Sequence, residues 1–483
     1  MIADYARWIA HAPSISQSPD SETALTAIKA SLADTLSCMA AAACRSQKDD
    51  TYEHGGEQRP DPMPALGRWL GAQEASTGSV VAGLNMRTTP TLAAFFNATA
   101  AHAYDFDDDF DPAKAHPSAV LWPAIIAVSG ACERAGESIS MANLFDAYAI
   151  GLDGYRALGE QINPEHRNRG WHATSTIGAV ATTGAVMRLV GGDEETNRNA
   201  LSLACSRAGG TMAQFGTPAK PLHAGFAAET SVRAAELARA GIAASPKAWD
   251  GPHGVALLMG EGEVPRSSIS TPAFEERRSA VIDPGLKFKL YPNCASAHRA
   301  MWALGSLRGA HGFRADDIAA ITVSLPAAHL ANLSSPEPIS PEQARFSMPH
   351  ACAAVLAADP TSVTAYQMPT VRDPKITAIR SQVTVRAAAP SNDQVDGYGP
   401  ALKATVSVQL HSGPTLTASC SSPPGRGDNP CSNAVRAQKF TALLGLAGVP
   451  EDRAREWYGR FTGDTPVTLS QIEAFLRQPA QQP

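Results

Sequence analysis

Between residues 22 and 44 apolar side chains recur at helical spacing as Leu25, Ile28, Leu32 and Leu36, with alanines filling the intervals. That pattern predicts a packed helix whose neighbours approach closely. The same period and small-residue richness return in Thr91–Tyr104, Met141–Leu158, Thr174–Leu189, Asn199–Met212 and Ala224–Ala240, so the first half reads as an all-helical domain. The most apolar window, Ala119–Ala131, contains Pro123 and is shorter than the roughly 20 residues that span a bilayer. It reads as a buried core helix, with no membrane role. A Gly/Pro/Ser-rich stretch, Gly251–Pro272, breaks the pattern. Beyond it the alternating segments Ile321–Leu325 and Ser381–Val385 predict strands. Thr405–Leu410, a turn at His411–Pro414 and Thr415–Cys420 predict a hairpin, and Ala434–Leu444 is helical again. Polar, turn-rich Ala387–Pro400 reads as a loop between strands, and the tail after Leu476 as loose. No internal repeat is evident. The expected class is mainly α: a helical domain over residues 1–265, a smaller α+β domain over 266–420, and a return to the helical domain over 421–483.

Composition narrows the function. With 483 residues, 44% hydrophobic and 18% charged, the chain exceeds what one core usually organises, which agrees with two domains. A net charge of -6 and no long Lys/Arg run leave no basic footprint for nucleic acid. The opening MIADYARWIAHAPSIS carries Asp4 early and lacks a basic region followed by an apolar stretch, so a cytoplasmic protein is expected. The eight cysteines are scattered with no CxxC pair, no zinc spacing and no iron–sulfur spacing. They read as free thiols, and no cofactor or metal is expected.

Four segments carry candidate chemistry. The first runs from His102 to Pro117 and holds Asp105, Asp107, Asp108, Asp109 and Asp111, five carboxylates in seven residues. On a helix His102, Asp105 and Asp109 share a face, while Pro112 and Pro117 end it and swing His116 back toward the acids. A solvated acidic helix end is the bland alternative. Asp107-Asp108-x-x-Asp111 also matches the DDxxD pattern by which helical prenyl-diphosphate enzymes hold magnesium, although no second acidic motif accompanies it. The second segment is Gly170–Gly178, where His172 precedes a Ser/Thr-capped helix start, and its alternative is a capping or packing histidine. In the third, Lys220 and His223 stand three apart as donors for a carboxylate. In the fourth, Lys289, Tyr291 and His298 surround a proline turn, with Lys287 read as solvated.

The stretches HAYDFDDDFDPAKAHPSAVLWPA, GWHATSTIGA, FGTPAKPLHAGFAAETSV, KLYPNCASAH and EQARFSMPHACAAVLAAD occur in the order found in the MmgE/PrpD family, which the chain resembles over most of its length. That family includes 2-methylcitrate dehydratases, cis-aconitate decarboxylases and iminodisuccinate epimerases. The resemblance implies a homodimer, each subunit a discontinuous all-helical domain with an α+β lid and a cofactor-free site between them. It implies Asp105, His116, His172, Lys220 and Lys289 as active-site positions, and Asp109, His223, Tyr291, His298 and His350 are the candidates for holding the substrate. Three positions depart from the pattern. Asp109 stands where relatives have Thr or Ser, Cys294 where the animal decarboxylases have His, and His350 where dehydratases and those decarboxylases have Tyr. The last two argue against decarboxylation, while loop length hints at the epimerase branch.

The expected activity is proton abstraction next to a carboxylate of a small di- or tricarboxylic acid. Dehydratase chemistry of the 2-methylcitrate type comes first; epimerisation, decarboxylation, a magnesium prenyl-type enzyme and a non-catalytic helical dimer are the alternatives. The developing aci-carboxylate needs cations, which suits Lys220 and Lys289. His172 is the first candidate base and His116 the second, with Asp105 orienting one imidazole.

Overall fold

Small residues set the helix spacing of the larger core. The computed structural model describes residues 1–47, 51–54, 57–60, 62–72, 78–260, 274–388, 402–465 and 467–477. Most of this core comes from the helices α1 (Ile2–His11), α2 (Ser21–Ala43), α3 (Pro90–His102), α4 (Ser118–Arg134), α5 (Met141–Ile162), α6 (Ala173–Val190), α7 (Glu194–Cys205) and α8 (Ala219–Arg239). Helix α5 lies along α6, and α8 packs on both α3 and α6. Tyr5 shows why the crossings need glycine. Its hydroxyl donates to the Ala181 carbonyl at 2.9 Å, with the Ile150 carbonyl at 3.2 Å, and its ring lies against Gly154 and Gly184 where a Cβ would overlap the phenol. Gly184→Ala is therefore expected to destabilise the fold by about 1–3 kcal/mol through overpacking. A denaturation midpoint equal to wild type would show that this crossing tolerates a methyl group.

The second core is a helix-covered sheet. Helix α9 (His298–His311), β1 (Ile318–Leu325), α10 (Met348–Ala357), β2 (Val383–Ala387), β3 (Ala404–Leu410) and β4 (Thr415–Cys420) build it, with strand order β2-β1-β3-β4. β1 is parallel to β2 and antiparallel to β3, and β3–β4 is the expected hairpin. Ala404, Val406 and Val408 face the helices, whereas Thr405 and Ser407 meet Ser419 and Thr417 on the outer face at 2.8 and 3.0 Å. That alternation explains why the strands were readable.

The chain then returns to the first core through α11 (Asn433–Leu446), α12 (Glu451–Thr462) and α13 (Leu469–Arg477), which contribute Phe440, Trp457, Phe461 and Phe475. Lys439 of α11 pairs with Asp34 at 2.7 Å and donates to the Phe106 carbonyl at 2.6 Å, tying this return to the acid-rich segment. The protein is thus mainly α, with a discontinuous helical domain and a smaller α+β lid.

Two helices differ from expectation. The one expected at 199–212 is α7, which starts at the Asp193 cap and stops at Cys205, ahead of Gly209 and Gly210. The one expected from Ala224 begins at Ala219, because Pro221 is tolerated in a first turn. Most of the expected break at 251–272, the domain boundary at 265–266, the loop at 389–400 and the tail from 478 lie outside the described residues. Among the described residues no helix is long and apolar enough to cross a membrane.

Candidate active site

The acid-rich segment is not helical beyond His102. Asp105 adopts a left-handed conformation with φ 51°, which a short polar side chain tolerates, and the chain leaves the helix there. His102, Asp105 and Asp109 therefore do not share a helix face. Asp109 instead exchanges backbone hydrogen bonds with Lys287 at 2.9 and 2.8 Å, stitching the segment to the start of the lid. A second left-handed residue, Lys114 at φ 55°, and the Phe110–Ala115 bridge close a tight loop that returns His116 beside the acids.

His116 is held in one tautomer. Its Nδ1 lies 2.8 Å from the Asp108 carbonyl, which can only accept, so the proton sits on Nδ1 and Nε2 presents a lone pair 3.7 Å from Asp105. Burial, and after it Lys289, hold the imidazole down at about 3 against the pull of Asp107. It is a neutral base at neutral pH.

Asp105 gathers the cations. Lys220 Nζ lies 3.1 Å from Oδ2, while Lys289 bonds Oδ1 and also donates to the Asp105 carbonyl at 2.9 Å. Burial alone would raise this carboxyl, but Lys220, Lys289 and His116 outweigh it and hold it well below the usual range. The Lys220 ammonium is pushed down by burial and by Lys289. Phe215 and Phe346 wall it at 5.6 and 5.3 Å from the ring centroids.

The remaining carboxylates diverge. Asp107 bonds His102 Nδ1 at 2.9 Å, Asp108 bonds Ser118, and Asp111 pairs with Lys287. Burial keeps Asp108 protonated up to about 8. The DDxxD trio points at three different partners, and Lys287 is engaged with Asp111 instead of solvated.

His172 occupies the N-cap position of α6 but caps nothing with its side chain. Its Nδ1 lies 2.8 Å from His223 Nδ1, so one ring donates to the other, and Phe215 meets it edge-on at 5.0 Å. Burial, then Lys220 and His223, lower its pKa well below the usual value.

A cavity of about 630 Å³, its open mouth included, lies between the helical core and the lid. Asp105, Asp109, His116, His172 and Lys220 line it; Lys289, His223, Tyr291, His298 and His350 do not. Lys289 and His223 stand behind the lining as partners of Asp105 and His172. His298 turns its Nε2 to the Asn293 carbonyl at 3.3 Å, edge-on to the Tyr291 ring. His350 donates from Nε2 to the Ala365 carbonyl at 2.8 Å, buried beside Tyr366. Reading the sequence missed Arg167, Ser296, Arg299, His329, Asn332 and Arg426, all of which line the cavity. Ser296 lies inside the NCASAH stretch and Arg299 just beyond it; Arg426 sits in a Gly-flanked turn that carries no chemical signature.

His102, Asp105, Asp107 and His116 each offer a metal-ligand atom within 4.8 Å of the others. Two ammonium groups already occupy Asp105, and His102 is bonded to Asp107, so a cation entering there would have to displace existing partners.

Residues 3–267 match the MmgE/PrpD N-terminal domain and residues 291–457 the MmgE/PrpD C-terminal domain. The chain is 28% identical over 365 residues to cis-aconitate decarboxylase of Homo sapiens, covering 74% of this chain and 73% of the relative. It is 26% identical over 377 residues to that of Mus musculus, covering 76% and 75%. Identity to cis-aconitate decarboxylase of Aspergillus terreus is 25% over 425 residues, covering 83% and 84%.

Proposed function

The chain belongs to the MmgE/PrpD family, and from that premise we propose that it is a lyase acting on a small di- or tricarboxylic acid by moving a proton next to a carboxylate. The observation that carries this reading is the neutral, single-tautomer His116 beside Asp105 and its two lysines. Nε2 is free to take a proton from carbon, and Lys220, backed by Lys289, supplies positive charge where the aci-carboxylate grows. His116 thus becomes the first candidate base. His172, whose Nδ1 is committed to His223, serves on the other wall as donor or second base.

Loss of a β-hydroxide from the carbanion-like intermediate gives dehydratase chemistry of the 2-methylcitrate type, which remains the first reading. Forming that intermediate by loss of carbon dioxide gives decarboxylation, a reading favoured by the names of the relatives. Cys294 lines the cavity where the animal decarboxylases have His, which supports the first. No metal or cofactor takes part in this proposal, so EDTA is expected to leave turnover unchanged. Loss of turnover with EDTA and recovery with added zinc or magnesium would reassign the His102–Asp107 cluster to a metal. The resemblance also supports a homodimer in the cytoplasm. Light scattering at the 50.5 kDa of one chain would exclude the dimer.

The test is proton NMR of the EDTA-treated protein in deuterium oxide with citrate, 2-methylcitrate, cis-aconitate, malate and iminodisuccinate. Deuterium entering next to a carboxylate is the expected result, and the product distinguishes dehydration from decarboxylation. Absence of exchange and conversion in all five would overturn the reading.

A further inference from the structure

One wall of the cavity presents the guanidiniums of Arg299 and Arg426, neither of which forms an ion pair with a described residue. Arg299 is fixed through Nε, which donates to the Ser421 carbonyl at 2.7 Å, and its Nη1 lies 3.4 Å from His329 Nε2. A guanidinium only donates, so this imidazole nitrogen accepts and His329 carries its proton on Nδ1. That Nδ1 lies 3.1 Å from Ser296 Oγ, and Asn332 Nδ2 donates to the same oxygen at 2.9 Å. With both acceptor sites taken, the Ser296 hydroxyl keeps its own proton to give, and the neighbouring Cys294 sulfur is a side-chain partner for it. The Asn332 carbonyl oxygen is used as well, by Arg167 Nη2 at 2.6 Å.

Arg426 completes the wall. Its guanidinium lines the cavity, is half-buried, and makes no hydrogen bond or ion pair with any described residue. Burial and Arg426 together lower Arg299 to about 10, while Asp109 is the strongest opposing charge on Arg426. Three guanidiniums and the ammoniums of Lys114 and Lys220 line the cavity with three carboxylates, Asp105, Asp109 and Asp111, an excess of positive charge that favours an incoming anion.

We propose that Arg426 and Arg299 form a second carboxylate subsite, separate from the corner of Asp105, Lys220 and His116, and that it holds a substrate carboxylate remote from the reacting carbon. The proposal rests on the lyase reading and names the residues that hold the second carboxylate of its di- or tricarboxylic substrate. A planar guanidinium fork matches carboxylate geometry in a way an ammonium does not. Asp109, standing where relatives have Thr or Ser, faces this wall and would help to place Arg426.

The probes are butyrate, glutarate and tricarballylate, which carry one, two and three carboxylates, with binding to the intact protein measured by calorimetry. Wild type is expected to bind glutarate and tricarballylate and to ignore butyrate at the same concentrations. Arg426→Gln should weaken tricarballylate by roughly 10- to 100-fold, the range for one charge-assisted hydrogen bond lost. Because the Arg426 guanidinium bonds no described residue, the melting temperature of Arg426→Gln should stay at the wild-type value. Arg426→Lys, which keeps the charge and loses the fork, should fall between the two. Equal tricarballylate affinity in wild type and Arg426→Gln would overturn the subsite, as would butyrate binding as tightly as glutarate. If the affinities follow the expected order but wild type exchanges no deuterium with any acid, the subsite stands and the lyase reading falls.

Discussion

His116→Ala is expected to lower turnover on the true substrate by about 10²- to 10⁴-fold, the usual contribution of a positioned general base. Deuterium exchange should fall in parallel, while tricarballylate binding stays near wild type. The size of the effect follows from the lone pair that the Asp108 carbonyl leaves on Nε2 and from the burial that keeps the ring uncharged. No water or nearby group restores both properties once the ring is gone. His172→Ala should cost less, because the His172–His223 pair does not fix which ring carries the proton between them. His223→Asn tests that relation, since an amide can replace one ring contact without the imidazole titration. It should lower turnover more than the substrate affinity. If His172→Ala abolishes exchange while His116→Ala keeps it, the two imidazoles have been assigned the wrong way round.

The same corner shows how far the sequence could be read. The quoted stretches named Asp105, His116, His172 and Lys220, and the structure brings all four to one cavity. What the pattern misjudged was the route. A run of acids after a helix looks like more helix, whereas the turn is made by Asp105, one of five aspartates that could each tolerate a left-handed conformation, and by Lys114, whose residue type does not announce one. Strands were legible because the sheet has one apolar face and one Thr/Ser face, and helices because alanine-rich faces repeat with helical period. The guanidinium wall was illegible for a different reason. Arg167, Arg299 and Arg426 come from three distant segments, and only the approach of lid and helical core gives them a common purpose. His350 shows the converse. It stood out as a departure from the family pattern, yet its ring is spent on the Ala365 carbonyl, away from the cavity.

Acidification should unfold this protein steeply between roughly pH 6 and pH 4.5, where typical stabilities are exhausted by proton uptake. Eight histidines are buried with lowered pKa: His102, His116, His166, His172, His223, His298, His329 and His350. Burial is the leading cause in each, and His116, His166, His298 and His329 lie at about 3. In the unfolded chain each returns to about 6.5. Their depressed folded pKa means that the unfolded state binds more protons below that value. The associated stability is complete above it and is lost as pH falls toward the folded values. Asp108 works in the opposite sense, since its carboxyl keeps a proton up to about 8 when folded and releases it above about 3.9 when unfolded, and Asp34 and Asp153, also raised by burial, act in the same direction and reduce the uptake further. The net uptake is therefore at most about seven protons, a slope on the order of 9 kcal/mol per pH unit once all the unfolded imidazoles are charged. Against a total stability of about 5–15 kcal/mol, one to two units below 6.5 suffice. Asp105 and Asp107, both held low, add their own loss only at still lower pH. Tryptophan fluorescence and circular dichroism followed from pH 8 to pH 4 should show one cooperative loss of structure, and activity should fail with it, without a separate imidazole titration near 6.5. A fold that persists unchanged at pH 4 would mean that these histidines take up protons in the native state above that pH, and that burial depresses them less than described.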